Sequence, residues 1–169
     1  KALRKLMKDR AEDVEFHMFA QFLFFDQWDR IRSLAHERSI SIIGDAPIYV
    51  AYDSSDTWAH QEIFQLDEEG KPTRVAGVPP DYFSETGQYW GNPHYRWERM
   101  AANGYRWWIE RMQTQLELFD WVRIDHFRGF AAYWEIPADA ETAMEGRWVE
   151  GPGRAFFDAL EAKLGSLPL

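Results

Sequence analysis

Trp121-Val122-Arg123-Ile124-Asp125-His126-Phe127-Arg128-Gly129 is the stretch from which the fold can be read. Apolar residues flank a single Arg over its first four positions, the pattern of a buried strand. A carboxylate, an imidazole and a second guanidinium then arrive together at the strand's end. Side chains alternate along a strand with a period of two, so Arg123 and Asp125 point to the same side. A guanidinium so placed can keep a carboxylate charged and fix its orientation, as a nucleophile or an electrostatic stabiliser requires. The same spacing also suits an ion pair that only closes a strand end. Residues elsewhere in the chain must separate the two readings.

Working outward, Tyr105-Arg106-Trp107-Trp108-Ile109, Met112, Leu116 and Phe119 form an apolar stripe at helical spacing that runs straight into this strand, with Asn103-Gly104 as a breaker before it. An earlier unit has the same order. Phe16, Phe19, Leu23, Gln27, Ile31 and Leu34 recur at three- and four-residue steps, widened by Ala20, Phe24, Trp28 and Ala35. This predicts one long amphipathic helix from Asp13, its candidate cap, to Arg38-Ser39. Ile40-Ser41-Ile42-Ile43 begins a β-branched run typical of a buried strand, which ends at Gly44-Asp45-Ala46-Pro47. Strand, helix, strand in this order predicts parallel strands joined by a right-handed crossover. The fold class is therefore α/β, and both strands end in a carboxylate. A last helix is predicted from about Arg154 to Lys163.

The connection from Ala46 to Gly104 far exceeds the usual ~2–6 residues between strand and helix, and a connection that long is normally functional or disordered. It is too aromatic for disorder. Within it, Ile63-Phe64-Gln65-Leu66 and Thr73-Arg74-Val75 flank Asp67-Glu68-Glu69-Gly70-Lys71-Pro72, predicting a hairpin. The stretch from Gly77 to Pro93 follows; its glycines and prolines argue against a long helix or a central strand, so its rings should be displayed from irregular backbone. Rings near a carboxylate can stack on sugar C–H faces while Gln, Asn and Asp take up hydroxyls. A loop packed on its own aromatics is the competing reading. The residues after Gly129, with Tyr133-Trp134-Glu135 and Gly146-Arg147-Trp148, are expected to be irregular as well.

The composition excludes several classes. A net charge of −9 argues against a nucleic-acid partner, which needs a clustered basic surface. There is no Cys, hence neither a disulfide framework nor a thiolate metal site. No apolar run is long enough to span a membrane. His126 lacks an evident partner set, so no metal site is expected, and no glycine loop that would cradle a cofactor phosphate is present. Aromatic residues make up 17% of the chain, nine of them Trp, more than a core usually needs; some of these rings should serve another purpose. The chain begins at Lys1 without an initiator Met and ends at Leu169 just after a helical pattern, which reads as an internal fragment.

Oversized loops after strands that end in carboxylates suit the C-terminal face of a (β/α)₈ barrel, where active sites are built from several strand ends. Three motifs carry a more specific resemblance. They are Gly44-Asp45-Ala46-Pro47-Ile48-Tyr49-Val50, the Gly77 to Pro93 loop, and Arg123-Ile124-Asp125-His126-Phe127-Arg128-Gly129-Phe130 with Tyr133-Trp134-Glu135. In this order they resemble the 4-α-glucanotransferases (amylomaltase, disproportionating enzyme) of glycoside hydrolase family 77. Arg-x-Asp alone also fits the wider α-amylase clan; the Pro79 to Pro93 loop selects the family.

The resemblance implies that residues 1–169 are a single fragment of a catalytic (β/α)₈ TIM barrel, with N- and C-terminal parts outside it. It implies Asp125 as the nucleophile, Arg123 orienting it, and Asp45 beside the −1 sugar. Tyr82, Phe83, Glu85, Gln88 and Trp90 match the loop over the donor and acceptor subsites, and His126 and Asn92 would line the site. Ala46 and Tyr52 depart from the family's usual Leu and His. The implied partners are an α-1,4-glucan donor and a glucose or maltooligosaccharide acceptor, with no cofactor, in the cytoplasm or, for a plant protein, the plastid. The acid/base carboxyl is expected beyond Leu169. An α-amylase-clan hydrolase and a non-catalytic α-glucan-binding fragment remain as alternatives.

Overall fold

A computed structural model describes residues 2–169 as a mixed α/β chain. Its organising pair is β1 (Ile43–Pro47) and β4 (Trp121–Asp125), parallel neighbours in the register Ile43↔Trp121, Asp45↔Arg123 and Pro47↔Asp125. The predicted parallel crossover is therefore present. Gly44, Ala46 and Val122 face inward, while Ile43, Asp45, Pro47, Trp121, Arg123 and Asp125 lie on the open face, as the period of two demands. Gly44 is required by closeness: a Cβ there would overlap the ring of Phe119. The strand begins three residues later than the β-branched run suggests, and Ile40 and Ile43 are exposed rather than buried.

Two helices precede β1, α1 (Ala2–Asp9) and α2 (Ala11–Glu37). The span of α2 matches the periodicity, but none of its residues is fully buried, and Phe16, Phe19, Ile31 and Leu34 of the expected stripe meet solvent. Length accounts for Phe16 and Phe19 only. A 27-residue helix runs about 40 Å, against roughly 17 Å for a five-residue strand, so only its C-terminal part lies along the rest of the fold. Ile31 and Leu34 are exposed although they lie beside Trp28, Arg32 and His36, on the side of the docked part that faces away from those residues' contacts. That part is held by polar contacts. Trp28 Nε1 donates to the Leu118 carbonyl at 2.8 Å, and Arg32 and His36 meet the Asp120 carboxylate at 3.1 and 2.9 Å. The Ile42 amide donates to the same carboxylate at 2.8 Å. This amide bond, with help from His36 and Arg32, lowers the Asp120 pKa to about 2.

Between the parallel strands lie α3 (Ser55–Ala59), β2 (Arg74–Val78), β3 (Gln88–Pro93), α4 (Trp97–Ala102) and α5 (Arg106–Leu118); β5 (Ala132–Pro137), β6 (Arg147–Glu150) and α6 (Arg154–Leu164) follow β4. The strands β3-β2-β5-β6 form an antiparallel sheet in that order. Two stretches expected to be irregular are thus strands, and β2 is central. Gly77 does not break β2; it admits the Gln88 carbonyl and the Ile136 side chain where a Cβ would collide. Pro93 sits on the edge strand, where a missing N–H costs least. The turn at Asp67–Lys71 forms as expected, the Asp67 carboxylate accepting both the Glu69 and Lys71 amides at 2.9 Å. Its flanks meet in the bridge Leu66↔Pro72 and in the Thr73 amide bond to the Gln65 carbonyl at 3.0 Å, and from Arg74 onward the chain pairs with β5 instead.

The core is largely aromatic. Trp97, Trp108, Tyr95, Phe130 and Phe156 meet around Met100, Met112 and Leu160, with Phe130 stacked on Phe156 at 4.7 Å. Much of the ring content is thus packing, while Trp58, Trp90, Trp121 and Trp148 stay substantially exposed.

Replacing Asp120 by Ala leaves the Ile42 amide and the Arg32 guanidinium without their shared acceptor. Expected is a loss of about 1–3 kcal/mol in urea unfolding, with amides of the C-terminal half of α2 exchanging faster than those of α5. Unchanged exchange in α2 would mean that its docking rests on Trp28 instead.

Candidate active site

Pairing in parallel register sets Asp45 directly opposite Arg123. The guanidinium donates twice to that carboxylate, Nη2 to Oδ2 at 2.6 Å and Nε to Oδ1 at 3.1 Å. These bonds lower the Asp45 pKa below the ordinary carboxylate value and raise that of Arg123. The alternation rule alone assigns Arg123 to Asp125; the structure gives the fork to Asp45, with Asp125 adding a smaller Coulombic pull. Asp125 lies two residues on along the same open face, opposite Pro47. The Pro47 carbonyl is itself pinned by Arg111 Nη2 at 2.7 Å.

Beyond Asp125 the chain turns sharply. His126 has a left-handed backbone, φ 52°, and Gly129 lets the following turn approach Ile48, whose Cδ1 would stand 2.7 Å from a Cβ. The His126 ring meets Trp90 edge-on at 5.0 Å and lies 6.3 Å from Tyr49. Burial lowers its pKa against the opposing pull of Asp125. The Trp90 indole N–H donates to Gln88 Oε1 at 3.0 Å, and Asn92 Nδ2 to the Val50 carbonyl at 3.0 Å. Six of the predicted site residues are therefore linked in two sets around β1 and β4, Asp45–Arg123–Asp125 and His126–Trp90–Gln88, while Asn92 ties β3 to the segment leaving β1.

Tyr82, Phe83 and Glu85 stand apart, on the loop between β2 and β3. Tyr82 is 97% and Phe83 89% exposed, their rings edge to face at 5.7 Å. The loop backbone is nevertheless shaped: Asp81 Oδ1 accepts the Phe83 and Ser84 amides at 2.8 and 2.9 Å, and Ser84 Oγ donates to the Gly87 carbonyl at 2.7 Å. Two rings thus project into solvent from a preformed frame.

Sequence reasoning missed the wall behind this surface. Tyr49 meets the His94 ring at 5.1 Å, His94 meets Tyr133 at 4.5 Å, and the Tyr95 hydroxyl donates to the Ile48 carbonyl at 2.8 Å. His94 is fully buried, with Nε2 against the Trp134 carbonyl at 3.2 Å and Nδ1 unpartnered. Burial lowers its pKa to about 4 and raises that of Tyr133 to about 12. The wall is therefore uncharged at neutral pH. Tyr49 belongs to a motif already noted in the sequence, but nothing local reveals that it packs on residues more than forty positions away. Arg128 lies over the Trp148 ring at 4.2 Å, tying the turn after Asp125 to β6. Among the described residues no three His, Asp or Glu side chains converge on a point where they would hold a metal ion.

Residues 1–169 match the family model described as 4-alpha-glucanotransferase. A 4-alpha-glucanotransferase of Thermus thermophilus is 57% identical over 169 residues, 100% of this chain and 34% of its own. The chloroplastic/amyloplastic 4-alpha-glucanotransferase of Oryza sativa subsp. japonica is 49% identical over 167 residues, 99% of this chain and 28% of its own. Among solved structures, amylomaltase from Streptococcus agalactiae in complex with acarbose superposes with a TM-score of 0.95 at 42% identity, over 99% of this chain and 34% of that one. The chain spans about a third of the length of the curated relatives it matches.

The buried imidazole makes the fold acid-sensitive. An unfolded His94 takes up a proton near pH 6.5 and the folded one only near pH 4, so stability is complete above the first value and falls as pH drops towards the second. Wild-type stability should fall by on the order of 2 kcal/mol more than that of His94→Leu between about pH 7 and about pH 4.5. Urea midpoints at both pH values for both proteins test this; parallel losses would show that His94 is not the acid-sensitive group.

Proposed function

The chain belongs to the 4-alpha-glucanotransferase family, glycoside hydrolase family 77, and on that footing we propose that it is part of an enzyme moving segments of α-1,4-glucan. The donor is an α-1,4-glucan, and the acceptor is the 4-hydroxyl of glucose or of a maltooligosaccharide. The observation that carries this reading is the meeting of two carboxylate-bearing parallel strands at one end, with a preformed aromatic surface beside them. In this reading residues 1–169 are one piece of a (β/α)₈ barrel, and the open face of β1 and β4 looks toward its axis.

Asp125 is the nucleophile. Its carboxylate attacks the anomeric carbon of the donor sugar; the bond to the leaving 4-oxygen breaks and a β-glucosyl ester forms. The leaving oxygen takes a proton from a second carboxyl, about 5–5.5 Å from the nucleophile in a retaining enzyme. That group comes from outside these 169 residues. It then accepts the proton of the incoming 4-hydroxyl as the acceptor displaces Asp125. Asp45, kept charged by Arg123, takes hydroxyls of the reacting sugar, and Arg123 thereby sets the charge balance beside Asp125. Trp90, Gln88, Asn92 and His126 line the subsites, and Tyr82, Phe83 and Glu85 cover them. Rings on that loop offer a sugar a stacking face and displace water, which favours transfer over hydrolysis. The enzyme is proposed to act in the cytoplasm, or in the plastid if the source is a plant; no described helix is long and apolar enough to cross a membrane.

Incubating the full-length polypeptide with maltotriose should give glucose together with a ladder of longer maltooligosaccharides on thin-layer chromatography. Asp125→Asn should abolish this by on the order of 10³-fold or more. Products that are only shorter than the substrate would replace this reading with a hydrolase. The double change Tyr82→Ala and Phe83→Ala should raise the ratio of hydrolysis to transfer; an unchanged ratio removes the loop's assigned role.

A further inference from the structure

The segment leaving β1 continues past Val50 into Tyr52, Asp53 and the short helix α3, where a cleft of about 480 Å³ opens against the Asp67–Lys71 turn. Tyr52, Asp53, Ser55, Trp58, Gln61 and Glu69 line it. None of the strand-end residues takes part. Its walls are pinned from behind. Ser54 Oγ caps α3 by accepting the Thr57 amide at 3.3 Å, and Thr57 Oγ1 donates to the Ala51 carbonyl at 2.9 Å. The Tyr52 hydroxyl donates to the Gly70 carbonyl at 3.1 Å, joining the two sides.

Apart from Tyr52 and Glu69, the latter paired with Lys71, the lining is unengaged where the frame is tied. Among the described residues, the Asp53 carboxylate, the Ser55 hydroxyl, the Gln61 amide and the Trp58 indole N–H have no hydrogen-bond partner within the chain. Trp58 is 65% exposed and Tyr52 44%. A rigid concavity with one uncovered indole, a second ring, and free donors and acceptors of both kinds fits a pyranose. The ring C–H face stacks on Trp58, and the hydroxyls find a carboxylate, an amide and a hydroxyl. The Asp53 carboxylate disfavours an anionic ligand, Glu69 being paired with Lys71 Nζ at 2.8 Å, and the neutral sugar avoids that repulsion.

We propose that this cleft is an accessory binding site for a glucose unit of an α-glucan chain, distinct from the surface around Asp125. Because it opens on the segment that follows β1, it lies on the chain just after the carboxylate-bearing strand end. A long glucan held there stays anchored while other parts of it react or diffuse. The inference rests on the α-glucan reading of the family.

Affinity electrophoresis of the full-length polypeptide through native gels containing soluble amylose tests it, in an Asp125→Asn background that does not consume the probe. Trp58→Ala should weaken the apparent Kd for amylose by about tenfold, and Trp58→Phe should recover part of the loss because a phenyl ring still offers a stacking face. Thermal midpoints of both variants matching the parent would show that the loss is local. Equal retardation of parent and Trp58→Ala overturns the proposal even if the enzyme redistributes maltotriose. A loss of retardation on Trp58→Ala supports the cleft even where the full-length polypeptide that retains Asp125 does not redistribute maltotriose; that second result removes only the reaction assigned to Asp125.

Discussion

Two parallel strands must deliver their ends to the same side, and the chain between them must travel back to start the second. β1 and β4 obey this, and most of what is distinctive here follows from it. The return path supplies α5, which covers one face of the pair, and leaves the other face open with Asp45, Arg123 and Asp125 along it. Register then decides chemistry. With Asp45 set opposite Arg123, the guanidinium neutralises that carboxylate in a two-bond fork, while Asp125, one step on, is left without a hydrogen-bond partner from Arg123.

The second sheet serves the first. Through β3, β2, β5 and β6 the long connections become a rigid support, with Tyr49, His94, Tyr95 and Tyr133 filling the space between that sheet and the segment leaving β1. A wall of rings with pKa values pushed away from neutrality by burial adds shape without adding charge. Rigidity at His126 and Trp90 comes from packing, whereas the Tyr82–Phe83 loop keeps its frame through Asp81 and Ser84 and leaves its rings free. The two kinds of aromatic surface thus differ, one backed by the second sheet and one projecting from a framed loop.

A contrast in α2 shows how context changes a stripe's meaning. Its apolar periodicity is real, yet its Phe and Ile side chains meet solvent, and the helix is held by hydrogen bonds from Trp28, Arg32 and His36 to the Glu117 and Leu118 carbonyls and the Asp120 carboxylate. Polar clamps of this kind locate an element more narrowly than apolar contact, because each bond has a direction.

Periodicity over α2, α5 and α6 was enough to find three helices to within a few residues, since each stripe repeats over several turns. The order strand, helix, strand was enough to pair β1 with β4, and the motifs around Asp45, Gly77 and Asp125 were enough to identify the family. These are local or consecutive signals. What the folded chain alone decided was which groups meet across long separations. Arg123 turned out to hold Asp45, because register between strands is set by the whole crossover and not by spacing within one strand. Gly77 turned out to sit inside a central strand, because its missing side chain is filled by Gln88 and Ile136 from two other strands. The wall of Tyr49, His94 and Tyr133 has no local signature at all: burial and ring contact are properties of surfaces brought together by folding, and a sequence lists residues only by their neighbours in the chain.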